Sequence, residues 1–156
     1  MENELLARVV DPSRMRVEVA TPSGHSLVLD SDPPDGDDAG ARPMEMVLAA
    51  LAGCTAMDVA SILRKKRQTA TAYDVAVRGE RSETHPRVYT TIVIEHRVSG
   101  EVRPEAIRRS VELSATKYCP VSAMLARGVS IEHRYRLAGG PSVLVAVTDP
   151  DGARVA

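Results

Sequence analysis

A chain of 156 residues, 44% of them hydrophobic, can bury one substantial core but is short for two, so residues 1–156 are read as a single domain. Its 20 Lys and Arg against 21 Asp and Glu give a net charge of −1, which excludes the basic field that draws a protein to nucleic acid or to an anionic membrane. With no Trp, no Phe and four Tyr, it also lacks the stacking surfaces of single-strand binders. The opening MENELLARVV carries acidic residues where an export signal carries basic ones, so the expectation is a cytoplasmic protein. In that compartment two cysteines are not expected to form a structural staple, and a disulfide between them would be transient and chemical.

In chain order, Leu5 to Val10 and Met15 to Ala20 alternate about the turn Asp11-Pro12-Ser13. After Pro22-Ser23-Gly24, His25 to Leu29 completes a three-stranded meander. Residues 31–41, SDPPDGDDAGA, form an acidic Gly/Pro loop, read as a solvated linker or as a lid over the site. From Arg42 to Arg67 the sequence predicts one long helix. Pro43 suits its first turn, Glu45 complements the positive end of the dipole, and Arg64, Lys65, Lys66 and Arg67 complement the negative end. Apolar residues surround it on nearly every side, which predicts a buried helix, and Glu45 and Asp58 within it argue against a membrane span.

Next, Tyr73 to Arg81 and Val88 to Val98 alternate as a long hairpin around Thr84-His85-Pro86. Pro104-Glu105 opens a helix through Thr116, Lys117-Tyr118-Cys119-Pro120 breaks it, and a short helix runs to Ala126. Val129 to Leu137 forms a strand, and residues 139–156 form a tail or an extra edge strand. The order predicts an α+β fold of antiparallel sheets wrapped around the central helix. So apolar a helix is hard to cover with one chain, so a homodimer is expected.

Cys54 lies in AALAGCTAMD, where Ala49, Ala50, Ala52 and Gly53 thin the helix and let a neighbour approach the sulfur. It is either a packed, inert thiol or a reactive one. Cys119 precedes Pro120 and so caps a helix start, where unpaired amides are expected to lower a thiol's pKa; Lys117 adds to that. There is no CxxC, and a four-ligand zinc site would need distant histidines, so a redox pair is favoured over a metal site and neither metal nor cofactor is expected. His25, His85, His96 and His133 show no ligand spacing and are read as solvated or satisfied.

The segments PMEMVLAALAGCTAMDVASILRKKR and KYCPVSAML, with Gly79-Glu80-Arg81 and His85-Pro86, resemble the OsmC-like superfamily, which includes osmotically inducible protein C and the organic hydroperoxide resistance proteins. The likeness is to its less-studied branch with a PME helix start. The resemblance implies an intertwined homodimer with two sites at the interface. It implies that Cys54 attacks a hydroperoxide and becomes a sulfenic acid, that Cys119 resolves it to a disulfide, and that an external dithiol reopens the bond. It also implies an arginine and a glutamate beside the attacking thiol. The better-studied members place the glutamate directly after the proline; here that position is Met44, and Glu45 is next. Arg42 is the first candidate for the arginine, with Arg14 and Arg16 as others.

Two functions are therefore expected in turn. One is a two-cysteine reductase of organic hydroperoxides with catalytic Cys54, Cys119, Glu45 and Arg42, its substrate against Met44, Val47, Leu48, Leu51 and Met57. The other is a non-enzymatic or redox-sensing dimer that binds an apolar small molecule.

Overall fold

The computed structural model describes residues 4–156, which pack as two compact units joined within the long helix after Val47. In the first unit, β1 (Leu6–Val9), β2 (Val17–Ala20) and β3 (Ser26–Leu29) form an antiparallel meander in that order. The acidic segment that follows is organised by one side chain. Asp30 is 2% exposed, and its carboxylate accepts the amide N–H groups of Ser31 (2.8 Å), Ala39 (3.0 Å) and Asp37 (3.2 Å). The Ala39 amide above all holds this carboxyl below its ordinary pKa. The segment is thus a loop whose backbone folds around a buried carboxylate while most of its own side chains are exposed.

In the second unit, β4 (Thr69–Arg81) and β5 (Tyr89–Glu101) form the long hairpin the alternation predicts. At its far end Gly100 has φ +112°, and a Cβ there would meet the Thr69 carbonyl at 2.4 Å, so only glycine fits. The five-stranded sheet runs β4-β5-β6-β7-β8, with β6 (Ser130–Leu137), β7 (Val143–Asp149) and β8 (Gly152–Val155). The expected antiparallel pairing holds for every strand pair but one: β5 and β6 are parallel. Parallel neighbours need a long crossover, and α2 (Pro104–Leu113), a π-helical turn (Ser114–Tyr118) and α3 (Pro120–Leu125) supply it. The segment left as a tail or edge strand is a hairpin: β7 is paired on both sides and β8 is the edge.

The crossover helix packs by its pattern. Ala106, Ile107, Ser110 and Val111 of α2 are buried on one stripe, and Ala106, Ile107 and Val111 join Val59 and Leu63 of the long helix, Val98, Tyr135 and Val145 in one core cluster. The long helix, α1 (Pro43–Lys65), is apolar enough by length and composition to cross a membrane, with a mean hydropathy of 1.9. Its own chain buries a single stripe of it, Leu51, Thr55, Val59 and Leu63, spaced one turn apart. Among the described residues, the helix expected to be buried all round is therefore covered on one side. On the opposite side Ala49, Ala50, Gly53, Met57 and Ala60 are exposed, Met57 by 75%.

Ile107 is fully buried in this cluster. Ile107→Ala is expected to lower unfolding stability by about 2–5 kcal/mol, the range for a truncated core aliphatic; a urea titration reads it as an earlier midpoint.

Candidate active site

Cys54 and Asp58 stand one helical turn apart on α1, so their side chains share a face. Cys119 reaches them from the crossover. Ser114 to Tyr118 wind one residue wide of an α-helix, and the Cys119 amide donates to the Ser114 carbonyl at 3.0 Å. Pro120 then forces Cys119 out of helical geometry (φ −73°, ψ 105°) and starts α3, as the break at Lys117-Tyr118-Cys119-Pro120 predicts. The result brings Cys54 Sγ, Cys119 Sγ and a carboxylate oxygen of Asp58 within 4.8 Å of one another, with both cysteines free.

A buried line of hydrogen bonds ends on this cluster. Ser114 Oγ lies 3.0 Å from Asp58 Oδ2, Thr55 Oγ1 3.0 Å from Ser114 Oγ, His96 Nε2 3.3 Å from Thr55 Oγ1, and Tyr73 Oη 2.7 Å from His96 Nδ1. The chemistry fixes its direction. A carboxylate only accepts, so Ser114 donates to Asp58; Ser114 then accepts from Thr55, and Thr55 accepts from His96 Nε2–H. His96 Nδ1 is left as the acceptor of the Tyr73 hydroxyl. Every donor in the line points towards Asp58.

The electrostatics agree. Burial first, and the neighbouring His133 second, push His96 down to about 3, so its imidazole is neutral with one donor and one acceptor nitrogen. Burial, then the Asp58 charge, raises the Tyr73 pKa and keeps that hydroxyl a donor. Cys119 is 3% exposed, and burial pushes its thiol up to about 12; the Ser122 amide, 3.3 Å from the sulfur, opposes this, while Cys54 and Asp58 add to it. Cys119 does cap α3, but the expected acidic thiol is corrected: desolvation outweighs one amide. Lys117 lies over the Tyr118 ring at 5.3 Å and is engaged there.

The other predicted residues fall as follows. Glu45 makes the reach-back half of a capping box, its carboxylate accepting the Arg42 amide at 2.9 Å. Arg42 pairs with Asp38 at 2.7 Å and donates to the Gly40 carbonyl, and Arg14 pairs with Asp37. Met44 and Val47 belong to the first unit and Leu48, Leu51 and Met57 to the second; Leu51 is fully buried and Met57 faces outward. What the sequence reading passed over is Asp58, Ser114, Thr55, His96 and Tyr73. Two signals for them were in view: a lone carboxylate one turn after a cysteine in an apolar helix, and a histidine on the apolar side of β5.

A mixed sheet with a helical crossover that brings a capping thiol onto a helix thiol defines this as a protein of the α+β class with a paired-cysteine site. The chain belongs to the OsmC-like protein family, whose match spans residues 36–134. It is 44% identical to Protein YhfA of Escherichia coli (strain K12) over 116 residues, which are 74% of this chain and 84% of that one. A hypothetical protein from Aquifex aeolicus VF5 is 27% identical with a TM-score of 0.77, covering 88% of this chain and 96% of its own. An organic hydroperoxide resistance protein OsmC from Legionella pneumophila shares the fold, with a TM-score of 0.58, 15% identity and coverage of 88% and 95%.

His96 and His133 are both depressed, His133 to about 4 by burial, against an ordinary value of 6.5. The unfolded chain therefore binds more protons than the folded one as pH falls from 6.5 towards those values, and stability present above 6.5 is lost on the way down. The urea midpoint should decline between about pH 6.5 and 5, with on the order of 1 kcal/mol lost per pH unit per histidine. A midpoint flat across that range would contradict two buried neutral imidazoles.

Proposed function

We propose that this protein is a thiol-dependent reductase of organic hydroperoxides, working in the cytoplasm as a homodimer in defence against oxidative stress. The observation that carries the reading is the approach of two free thiols, far apart in sequence, to within 4.8 Å. Cys54, the more accessible of the two, attacks the peroxide. Its sulfur bonds to the terminal oxygen, the O–O bond breaks, and the thiol proton leaves on the alcohol. Cys119 then attacks the sulfenic sulfur, expelling the hydroxyl as water. A thiol held near 12 is a poor nucleophile, and Asp58 is the base at hand to take its proton and pass it to the departing hydroxyl. An external dithiol returns two electrons and two protons.

Asp58 also forms part of a groove of about 330 Å³ lined by Ile62, Leu113, Tyr118, Lys65 and Lys66. Its apolar residues favour an organic peroxide over hydrogen peroxide. The dimer is supported by the uncovered side of α1. Nothing lies within 4 Å of where a Gly53 side chain would be, and the exposed stripe of Ala49, Gly53, Met57 and Ala60 lets a second copy's helix approach closely. The roles that the resemblance gives to Glu45 and Arg42 stay within this proposal as contributions to ordering the thiolate.

Titrating the reduced protein with cumene hydroperoxide and with hydrogen peroxide, while counting free thiols, tests the reading. Fast stoichiometric loss of both thiols, reversed by dihydrolipoamide, is expected. Loss no faster than that of free cysteine would leave a binding protein without this chemistry. Cys54→Ser should abolish turnover, and Cys119→Ser should leave one oxidation that runs on to the sulfinic acid. Asp58→Asn should slow disulfide closure by about a hundredfold, while a sulfenic-acid trap still labels Cys54.

A further inference from the structure

The same three side chains make a second chemistry available, one that does not depend on peroxide turnover. We propose that the reduced site binds one Zn²⁺ per chain through Cys54 Sγ, Cys119 Sγ and the Asp58 carboxylate, leaving the fourth position to water.

The donor set fits the ion. Two thiolates and one carboxylate suit a borderline-soft d¹⁰ cation, whereas the hard ions Mg²⁺ and Ca²⁺ prefer an all-oxygen shell. The distances fit as well. A triangle of donors no wider than 4.8 Å on any side has its centre at most slightly outside bonding range. Closing on zinc at about 2.3 Å to sulfur and about 2.0–2.2 Å to oxygen asks each sulfur to move by at most about 0.5 Å and the oxygen by at most about 0.8 Å. Cys54 and Asp58 supply a helical one-turn pair from α1, and Cys119 supplies the third donor from the break before α3.

The surroundings hold these donors in place, as a metal site requires. Ser114 donates to Asp58 Oδ2 and is itself fixed through Thr55 and His96 to Tyr73. The Ser122 amide donates to Cys119 Sγ at 3.3 Å, a bond that favours the thiolate. Binding a dication also offsets the cost of ionising a buried thiol, since the two protons leave as the metal enters. Because a disulfide has no thiolate to offer, the oxidised protein should release the ion. Zinc would thereby cap the reduced pair and be discharged on oxidation.

The test uses the full-length reduced protein. Zn²⁺ is added in competition with a chromophoric chelator, and Co²⁺ is used as a spectroscopic substitute. One zinc per chain, a thiolate-to-cobalt charge-transfer band in the near ultraviolet, and protection of both thiols from alkylation are expected. Asp58→Asn should weaken zinc at least tenfold, and Ser114→Ala by about tenfold through its hold on Asp58. Protein carrying the Cys54–Cys119 disulfide should bind none. No cobalt–thiolate band in the wild-type protein would overturn the proposal without recourse to any variant. So would zinc affinity unchanged in Cys54→Ser, Cys119→Ser or Asp58→Asn. Zinc binding without peroxide turnover would uphold this site and defeat the reductase; turnover with no zinc binding would do the reverse.

Discussion

The site depends on a one-way line of hydrogen bonds that runs from β4 through β5 and α1 to the crossover and ends back on α1 at Asp58. Buried polar groups left unpaired are costly, and a buried line is stable only if every member finds both a donor and an acceptor. Here the carboxylate of Asp58 sets the direction. Tyr73, neutral His96, Thr55 and Ser114 each give one proton onward and, after the first, take one from behind. The line ties the π-helical turn to the long helix at Ser114, and the same turn delivers Cys119. Polar bonding and the position of the second sulfur are thus one constraint.

That coupling explains why the site tolerates a buried, reluctant thiol. Desolvation drives Cys119 towards the protonated form, and a single amide from Ser122 does not reverse it. Left alone, such a group is an inert packing element. Beside a carboxylate whose place is set by Ser114, it has a base within reach of its proton. The same geometry suits a thiophilic cation, because a base for a thiol proton and a ligand for a dication make similar demands of a carboxylate.

Much of the architecture was legible in the chain. The alternation from Tyr73 to Arg81 and from Val88 to Val98 marks the hairpin, because a strand with one buried face repeats every second residue. Pro104 and Pro120 mark helix starts, and Arg42 to Arg67 reads as one long helix, observed as Pro43–Lys65. The parallel pairing of β5 with β6 was not legible, since strands of either orientation show the same alternation when half buried. Nor was the one-sided cover of α1: composition says that a surface is apolar, but not which neighbour lies against it. Asp30 stands immediately before a segment rich in Asp, Gly and Pro, where composition masks the one carboxylate that gathers three amides.

By itself the sequence determined the elements, the two cysteines and the family to which they point, because periodicity, turn chemistry and motif are properties of neighbours in the chain. Only the tertiary structure decided that Cys119 is hidden and hard to ionise, that Asp58 lies within 4.8 Å of both sulfurs, and that Tyr73, His96, Thr55 and Ser114 line up behind it. Those facts turn on burial and on distances between residues from separate elements. A short-range pattern carries no record of such distances, and a few ångströms separate an inert thiol from a working one.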